Sequence, residues 1–304
     1  MFDSDSMRTA HELPSVPMRP LYPQKERLPY PQRIAPVFAI TSGKGGVGKT
    51  TVTANLAAAL ASKGLIVLVI DADVGLANLD LFFNVKPLYT LADLLTGAAQ
   101  LDDIILRTVS GVLLLPGASG IQKMTALNSA QKLTIASILE SWTSQVDLVL
   151  VDTCTGISDA ATYFAVAAQE IIVMITPEPA SLTDAYAFIK ILASTYREKR
   201  FRVIANKVED QAQGQRLFES LSRAAVRFLN VSTHYLGWIP RDPRLLEAVT
   251  NSSLVVEVAK NAPATRAFAD IADDLLGLAI AGGRLKENVQ FRFRRALKGL
   301  EGTK

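Results

Sequence analysis

The pattern of apolar and polar positions along the chain predicts an alternation of strands and helices. Seven short runs are apolar at nearly every position, as central strands of a parallel sheet are when helices cover both faces. These runs occupy residues 36–42, 65–71, 112–116, 146–152, 170–177, 201–206 and 234–240. Most of them are separated by segments with helical periodicity, over 49–62, 129–143, 182–195, 211–228 and 262–280. We therefore expect a doubly wound α/β fold, with a mostly parallel sheet and ligands beyond the carboxyl ends of its strands.

The two ends of the chain have different patterns. Residues 1–36 contain seven of the fourteen prolines and little apolar periodicity, so we expect a largely disordered arm. Residues 284–304 are basic and carry apolar side chains at helical spacing on one side. That side comprises Val289, Phe293, Ala296, Leu297 and Leu300, flanked by Arg292, Arg295 and Lys298. The prediction is an arm over 1–36, one domain over 37–281 and a basic amphipathic helix over 284–304.

Charge narrows the classes of function. Residues 284–304 carry seven Lys and Arg against two Glu, a net charge of +5; the remaining 25 basic and 27 acidic side chains give residues 1–283 a charge of −2. A mildly acidic body argues against a broad nucleic-acid-binding surface, and we expect no specific nucleic acid as a partner. The single cysteine, Cys154, allows no intrachain disulfide. We find no secretory signal in the sequence, and no apolar run approaches the ~20 residues needed to span a bilayer. A cytoplasmic protein is therefore expected.

The segment SGKGGVGKTT, residues 42–51, lies between the first predicted strand and the first predicted helix. It fits the phosphate-binding pattern GxxxxGK[ST] in the context that this pattern requires. Its candidate binding residues are Gly43, Gly45, Gly46, Val47, Gly48, Lys49, Thr50 and Thr51. We expect Lys49 to reach the β- and γ-phosphates and Thr50 to ligate Mg²⁺. Such a loop needs only one lysine, so the other lysine, Lys44, requires a separate explanation.

Acidic residues near the ends of two other predicted strands complete the candidate site. Asp152 is expected to hold Mg²⁺ through water, with a helix cap as the alternative. Gly156, four residues further on, is placed to offer a backbone N–H group to a γ-phosphate. In DADVGLANLD, residues 71–80, Asp71 and Asp73 alternate, so only one of them can point to a given face. An aspartate facing the phosphates would orient the attacking water, and a structural role in the turn is the alternative.

The segments KGGVGKTT, DADVGLANLD and VDTCTGISDA have the order and spacing of the MinD/ParA-type ATPases with a deviant Walker A motif, which the chain resembles over residues 37–280. The resemblance implies ATP and Mg²⁺ as cofactors and a homodimer in the ATP state. It makes Lys44 the signature lysine, which crosses the dimer interface to the partner's ATP phosphates. There a positive charge from the other subunit offsets the like charges of the phosphates.

Four other segments resemble the FlhG (FleN) branch, whose members control the number and placement of flagella: LPGASGIQKM, TPEPASLTDAYAFIK, FRVIANKV and YLGWIPRDPRLLEAV. This resemblance makes Asp73 the switch I aspartate, which activates water beside the metal. Asp152 and Gly156 belong to switch II, and Asn206 takes the base-reading position. The residues that match the loop along the adenine are Pro240, Asp242 and Pro243.

The resemblance also implies partners. The C-terminal helix would bind an anionic membrane in the ATP state, at the inner face of the cytoplasmic membrane; packing on the body is the alternative. Expected protein partners are an FlhF-like GTPase, flagellar switch and C-ring proteins, or a flagellar transcription regulator. The helix that begins near Ser158 and Asp159 is expected to be exposed and to bind a partner. Cys154 and Thr155 depart from the small residues common in this branch, and residues 1–36 lack its DQAxxLR-type element.

Three other protein classes share the loop. ParA-type DNA-segregation ATPases need nonspecific DNA binding, which the charge of residues 1–283 disfavours. Iron–sulfur carriers need bridging cysteines, and one cysteine per chain is not enough. Division-site MinD proteins carry a different segment after the strand at 112–116. We therefore expect a slow, Mg²⁺-dependent switch ATPase of the flagellar type, with MinD-type or ParA-type positioning as the alternative.

Overall fold

The structure, a computed structural model, describes residues 35–73, 77–117 and 128–282. Its strands are β1 (Val37–Thr41), β2 (Val67–Ala72), β3 (Leu106–Arg107), β4 (Leu113–Leu115), β5 (Leu148–Thr153), β6 (Glu170–Ile175), β7 (Arg200–Val208) and β8 (Ser232–Pro240). Its helices are α1 (Lys49–Ser62), α2 (Leu79–Phe82), α3 (Leu91–Thr96), α4 (Leu101–Ile104), α5 (Ser129–Thr143), α6 (Asp159–Ala167), α7 (Pro179–Thr195), α8 (Gln211–Leu229), α9 (Pro243–Thr250), α10 (Val255–Val258) and α11 (Pro263–Gly282).

The strands form one sheet in the order β3-β4-β2-β5-β1-β6-β7-β8. Every neighbouring pair is parallel except β3 with β4, which confirms the predicted mostly parallel α/β fold. All seven predicted strands are present. The edge strand β3 was not predicted, because its two residues, Leu106 and Arg107, are too few to show any periodicity.

Helices cover both faces of the sheet. On one face α1 packs against α11, and their apolar side chains share a cluster with alternate residues of β1, among them Phe38, Ile40, Leu56, Phe268 and Ile271. The connection β1-α1-β2 runs towards one edge of the sheet, and β5-α6-β6 runs towards the other. Right-handed crossovers in opposite directions place α1 and α6 on opposite faces. The layers bury the central strands completely, and this fixes the positions of the loops that follow them.

Three of those loops meet at the carboxyl edge of the sheet. They follow β1, β2 and β5, which are adjacent in the order β2-β5-β1. The register pairs Asp152 of β5 with Ile40 of β1 on one side and with Asp71 of β2 on the other. The glycine-rich loop, the DADVGLANLD segment and the VDTCTGISDA segment are thereby brought together, although they are far apart in the sequence.

Several predictions fall outside the described residues. The first is the predicted arm up to residue 34. The others are residues 74–76 of DADVGLANLD, residues 118–124 of LPGASGIQKM, and the predicted basic helix over 284–304 with all of its proposed membrane-facing residues. They remain predictions. Among the helices that the structure describes, none combines the length and apolar character needed to cross a membrane.

Candidate functional site

The glycine-rich loop connects β1 to the N-terminus of α1, as the sequence predicts. Gly48 precedes the helix with φ 96°, in the left-handed region, and a Cβ atom there would lie 2.7 Å from Asn206 Nδ2. At Gly43 a Cβ atom would lie 2.1 Å from the carbonyl oxygen of Asp184 in α7. Both positions therefore require glycine, one for its backbone conformation and the other for the close approach of a helix. Thr50 and Thr51 lie in the first turn of α1.

The loop lysine, Lys49, points into the site with little exposure to solvent. Its side chain is 6% exposed, and burial lowers the pKa of the ammonium group. The charges of Asp152 and Asp73 act in the opposite direction. Lys49 Nζ donates to Thr155 Oγ1 at 2.8 Å and to Ser42 Oγ at 3.2 Å. The cation that is expected to meet the phosphates is thus held by hydroxyl groups of the loop and of the segment after β5.

Asp152 provides an oxygen atom that fits a metal site. The hydroxyl groups of Thr50 and Thr53 hydrogen-bond to its carboxylate, the latter at 3.4 Å to Oδ1. Oδ2 is buried and has no hydrogen-bond partner in the part of the chain that the structure describes. Burial raises the pKa of Asp152 to about 7. A buried carboxylate oxygen without a partner beside a threonine hydroxyl suits Mg²⁺, which keeps several waters and needs few protein ligands.

The two aspartates after β2 have different surroundings. Asp71 is 2% exposed and accepts backbone N–H groups from Asp73 at 3.2 Å, Asn78 at 3.1 Å and Leu79 at 3.2 Å. Burial, and then the charge of Asp152, raises the pKa of Asp71 to about 8. Asp71 therefore supports the turn. Asp73 is half-buried and interacts electrostatically with Lys49 and Asp152, so it is the aspartate that reaches the site.

The segment after β5 is attached to the glycine-rich loop. Gly156, with φ 81°, donates its N–H group to the carbonyl oxygen of Ser42 at 3.2 Å. Thr153 Oγ1 donates to the carbonyl oxygen of Ile40 in β1 at 2.9 Å. The N–H group that was expected to meet a γ-phosphate thus bonds to the phosphate loop itself in this structure. Between these two attachments stands Thr155, the acceptor for Lys49.

One prediction about this segment is wrong. The helix after it, α6, is not an exposed partner surface, because all eight residues from Ala160 to Ala167 are buried. They are apolar or aromatic apart from one threonine, and α6 packs against β1, β2, β5 and β6. The exposed residues lie before the helix and at its first position: Thr155, Ile157 and Asp159. Ser158 caps α6 by accepting the N–H of Ala161 at 3.2 Å.

Lys44, the second lysine of the loop, forms an ion pair with Glu178, which precedes α7. Lys44 keeps the pKa of the Glu178 carboxyl below its usual value. Both side chains are partly or largely exposed, at 34% and 57%. The two residues are 134 positions apart, so no local pattern in the sequence indicates the pair. Within one chain, the lysine expected to reach a partner subunit already has an acidic partner.

Of the residues expected to line the adenine, Asn206 lies against the loop, whereas the others lie at the end of β8 and the start of α9. Asn206, 3% exposed, donates from Nδ2 to the Val47 carbonyl at 2.7 Å and accepts the N–H of Lys207 at 2.9 Å. Strand pairing places the end of β8, with Pro240, next to the end of β7. Asp242 caps α9, in which Pro243 is the first residue, by accepting from Arg244 N at 2.9 Å.

Asp242 also connects two helices. Its second oxygen, Oδ2, accepts the N–H group of Ala264 in α11 at 2.9 Å. The residue is 7% exposed; its bond to Ala264 is buried, and its bond to Arg244 is partly buried. The family resemblance implies only a place along the adenine for Asp242, and the structure adds a role in joining α9 to α11.

Together these groups form a cradle for an anion. It combines the N-terminus of α1, a buried lysine, a carboxylate oxygen suited to a metal, and an aspartate within electrostatic range of the lysine. This set has the chemistry required to bind a nucleotide's phosphates and to position water for attack on the terminal one.

Comparison with known proteins agrees with this chemistry. Residues 38–255 match the CobQ/CobB/MinD/ParA nucleotide binding domain family. The chain is 41% identical over 236 residues to the antiactivator FleN of Pseudomonas aeruginosa, covering 78% of this chain and 84% of that protein. It is 37% identical over 270 residues to the flagellum site-determining protein YlxH of Helicobacter pylori, covering 86% and 90%.

A solved structure supports the same fold and ligand class. The septum site-determining protein MinD of Pyrococcus horikoshii, complexed with Mg-ADP, aligns with a TM-score of 0.66 and 27% identity. The alignment covers 83% of this chain and all of that one. A relative with this fold therefore binds a nucleotide together with magnesium.

Proposed function

Because the chain belongs to the MinD/ParA family of nucleotide-binding ATPases, and within it to the flagellar FlhG/FleN branch, we propose that it is an ATP-dependent switch that regulates the number and placement of flagella. It hydrolyses ATP to ADP and phosphate. The observation that carries the ATPase assignment is the convergence at one edge of the sheet of Lys49, Thr50 and a buried oxygen of Asp152 that has no partner among the described residues. The flagellar assignment rests on the similarity to FleN and YlxH.

Each residue of the cradle has a definite task in this proposal. Mg–ATP supplies the phosphoryl group and the metal charge. Thr50 would hold the metal through its hydroxyl group, and Asp152 would hold it through its carboxylate. Lys49 binds the β- and γ-phosphates, and Asp73 orients the attacking water beside the metal. Asn206 lies against the loop, where its amide can meet the adenine edge while it still supports the Val47 carbonyl.

Pro240, Asp242 and Pro243 continue the same wall of the site, since β8 ends beside Asn206. In this position they would lie along the adenine ring. Asp242 uses both of its oxygens to hold α9 and α11, so its contribution to the base is the placement of the neighbouring backbone.

ATP is also proposed to join two copies of the chain. Lys44 leaves Glu178 and reaches the phosphates bound to the partner subunit. Its exposed position at the mouth of the loop supports this, as does the weakness of an ion pair between exposed side chains. Hydrolysis removes the phosphate that holds Lys44 across the interface, and the two copies separate.

The dimer brings two basic C-terminal helices to one surface. Each helix over 284–304 binds an anionic membrane weakly, and two of them bind more strongly through avidity. The protein is thus peripheral at the inner face of the cytoplasmic membrane in its ATP state. Its partners are drawn from an FlhF-like GTPase, flagellar switch and C-ring proteins, and a flagellar transcription regulator, the last being the class that an antiactivator would oppose.

The test is co-sedimentation of the full chain with vesicles that contain phosphatidylglycerol, in ATP and in ADP. We expect binding in ATP only, and loss of binding when the chain ends at Gly283. Phe293→Glu should abolish binding, whereas the matched control Phe291→Glu, off the apolar stripe, should retain most of it. Binding that is indifferent to the nucleotide, or equal losses in the two variants, would contradict the membrane switch.

The flagellar role needs a cellular test. Cells that carry Lys49→Ala should show an altered number or position of flagella when they are counted by electron microscopy. Lys63→Ala is the matched control, because Lys63 is bonded to Asp273 on α11 and is not part of the site. A normal flagellar pattern in the Lys49 variant would contradict the role.

A further inference from the structure

Among the hydrogen bonds that the Lys49 ammonium group donates to the described residues, the bond to the Thr155 hydroxyl is the shortest. The distance from Nζ to Oγ1 is 2.8 Å, compared with 3.2 Å to Ser42 Oγ. Ser42 uses its own hydrogen to donate to the carbonyl of Lys44 at 2.7 Å, so its oxygen is free to accept. Two of the three ammonium donors of Lys49 are therefore used within the chain.

Thr155 is held in this place by its neighbours. Two residues before it, Thr153 is buried and bonded to β1; immediately after it, the Gly156 N–H bonds to Ser42 of the loop. On the open side, the Thr155 methyl group would lie 3.6 Å from a Cβ atom placed on Gly45. The hydroxyl is therefore directed at the lysine by the backbone on both sides, and its closeness to Lys49 is built into the fold.

An incoming phosphate must compete with the Thr155 hydroxyl for the Lys49 ammonium group. Lys49 is the cation of the phosphate loop, and any phosphate oxygen that it binds has to share or replace its present acceptors. A carbon side chain at position 155 would leave Lys49 with Ser42 and water. The free protein would then lose a partner for a largely buried ammonium group, while the phosphate-bound protein would lose much less.

We propose that Thr155 is a positioning residue that holds the Lys49 ammonium in the nucleotide-free protein and thereby weakens nucleotide binding. The inference rests on the proposed nucleotide site. It gives a function to one of the two residues by which this chain departs from its branch. It also gives the switch a defined resting state, in which the loop lysine is bound to the same segment that responds to the γ-phosphate.

Replacement of Thr155 should change nucleotide affinity in the direction opposite to the usual one. Removal of a hydroxyl group from a binding site normally weakens ligand binding, but here it removes a group that competes with the ligand for Lys49. A hydrogen bond to a charged group stabilises a protein more than a bond between neutral groups does, and water replaces part of that stabilisation at an exposed threonine. We expect Thr155→Val to bind ADP about 3–10-fold more tightly, and Thr155→Ser, which keeps the hydroxyl, to stay within about twofold of the wild type.

The experiment is titration of the full chain with a fluorescent ADP analogue in the presence of Mg²⁺. The variants are Thr155→Val, Thr155→Ala and Thr155→Ser, with Thr250→Val as the matched control. Among the described residues, the partner of the Thr250 hydroxyl is the Leu246 carbonyl within α9, so loss of this hydroxyl should leave affinity unchanged. Tighter binding by both the Val and Ala variants, reversed in the Ser variant, supports the proposal. A structural defect would weaken binding instead.

Two results would overturn different claims. Unchanged or weaker ADP binding by the variant that folds, whether Val or Ala, would overturn the role of Thr155 and leave the nucleotide site intact. A wild-type chain that fails to bind the ADP analogue would overturn the proposed function itself. If both variants lose the far-ultraviolet circular dichroism of the wild type, Thr155 is required for folding, and the proposed role is rejected as well.

Discussion

Replacement of Asp152 by asparagine should make the nucleotide-free protein more stable while it abolishes the effect of the metal. The pKa of Asp152 is raised from 3.8 to about 7 by burial. At ~1.4 kcal/mol for each pKa unit, the ionised carboxylate destabilises the folded chain by about 4 kcal/mol above pH 7. The ionised Asp152 carboxylate thus destabilises the folded chain, and a bound metal ion would offset this effect.

The asparagine variant removes that charge and little else. Its carbonyl oxygen can still accept from Thr50 and Thr53, whereas its NH₂ group, in the place of Oδ2, has no acceptor and costs about 1–3 kcal/mol. The net gain is therefore about 1–3 kcal/mol. For a chain of this size, at about 2 °C for each kcal/mol, that corresponds to a rise of about 2–6 °C in the midpoint of thermal unfolding.

The dependence on pH gives an independent check. Below pH ~4 the Asp152 carboxyl is protonated in the folded and the unfolded chain, and it does not affect stability. Between pH ~4 and about 7 the unfolded chain releases this proton first, so the wild type loses stability as the pH rises. Asp152→Asn should show a smaller loss over this range. Some loss remains, because the pKa of Asp71 is also raised.

The assay is thermal unfolding from pH 5 to pH 8, with and without Mg²⁺ and ADP. Saturating ADP at ~100 times its Kd stabilises a protein by about 2.7 kcal/mol. We expect Mg²⁺ to increase this stabilisation in the wild type and not in Asp152→Asn. A lower midpoint for the variant at pH 7.5, or an undiminished Mg²⁺ effect, would refute the reasoning.

Three further predictions follow from the geometry of the site. Glu178→Gln releases Lys44 from its ion pair. It should lower the protein concentration at which the ATP-dependent dimer forms by about 2–5-fold, as measured by sedimentation. If this concentration rises instead, the ion pair does not compete with the dimer. Asp242→Ala removes the acceptor of the buried Ala264 N–H group and the cap of the partly buried Arg244 N–H group, and should cost about 2–4 kcal/mol in urea unfolding; a loss below ~1 kcal/mol would show that Asp242 does not join α9 to α11. Gly43→Ala forces its Cβ against Asp184 and should weaken ADP binding at least about tenfold, and a variant with normal affinity would mean that α7 moves freely.

The fold was predictable from the sequence because its strands are buried on both faces and therefore form continuous apolar runs. The predicted bounds 49–62 and 129–143 coincide with α1 and α5. Short elements such as α2 and β3 were not predicted, since four or two residues carry no period. The α6 prediction was wrong about exposure, because sequence order places the helix after the switch but does not reveal that strands and helices enclose it on all sides.

The site was predictable only as far as its motifs extend. The glycine-rich loop and Asp152 were found from their patterns, and the family resemblance selected Asp73 over Asp71. Strand order then brings the three together. The partners Thr155 and Glu178 lie 106 and 134 residues from the lysines they bind, so no local pattern indicated them. Such contacts depend on how crossovers arrange the loops, and the sequence carries no direct signal of that arrangement.

The central claim is that ATP, and not ADP, joins two copies of this chain. Sedimentation velocity of the full chain with Mg²⁺, in ATP, in ADP and without nucleotide, tests it most directly, with Asp73→Ala included to slow hydrolysis and Lys44→Ala to remove the interface lysine. We expect dimers only in ATP, more persistent dimers with Asp73→Ala, and monomers under all conditions with Lys44→Ala. A wild-type chain that stays monomeric in ATP, or dimers that form equally in ADP, would contradict the account.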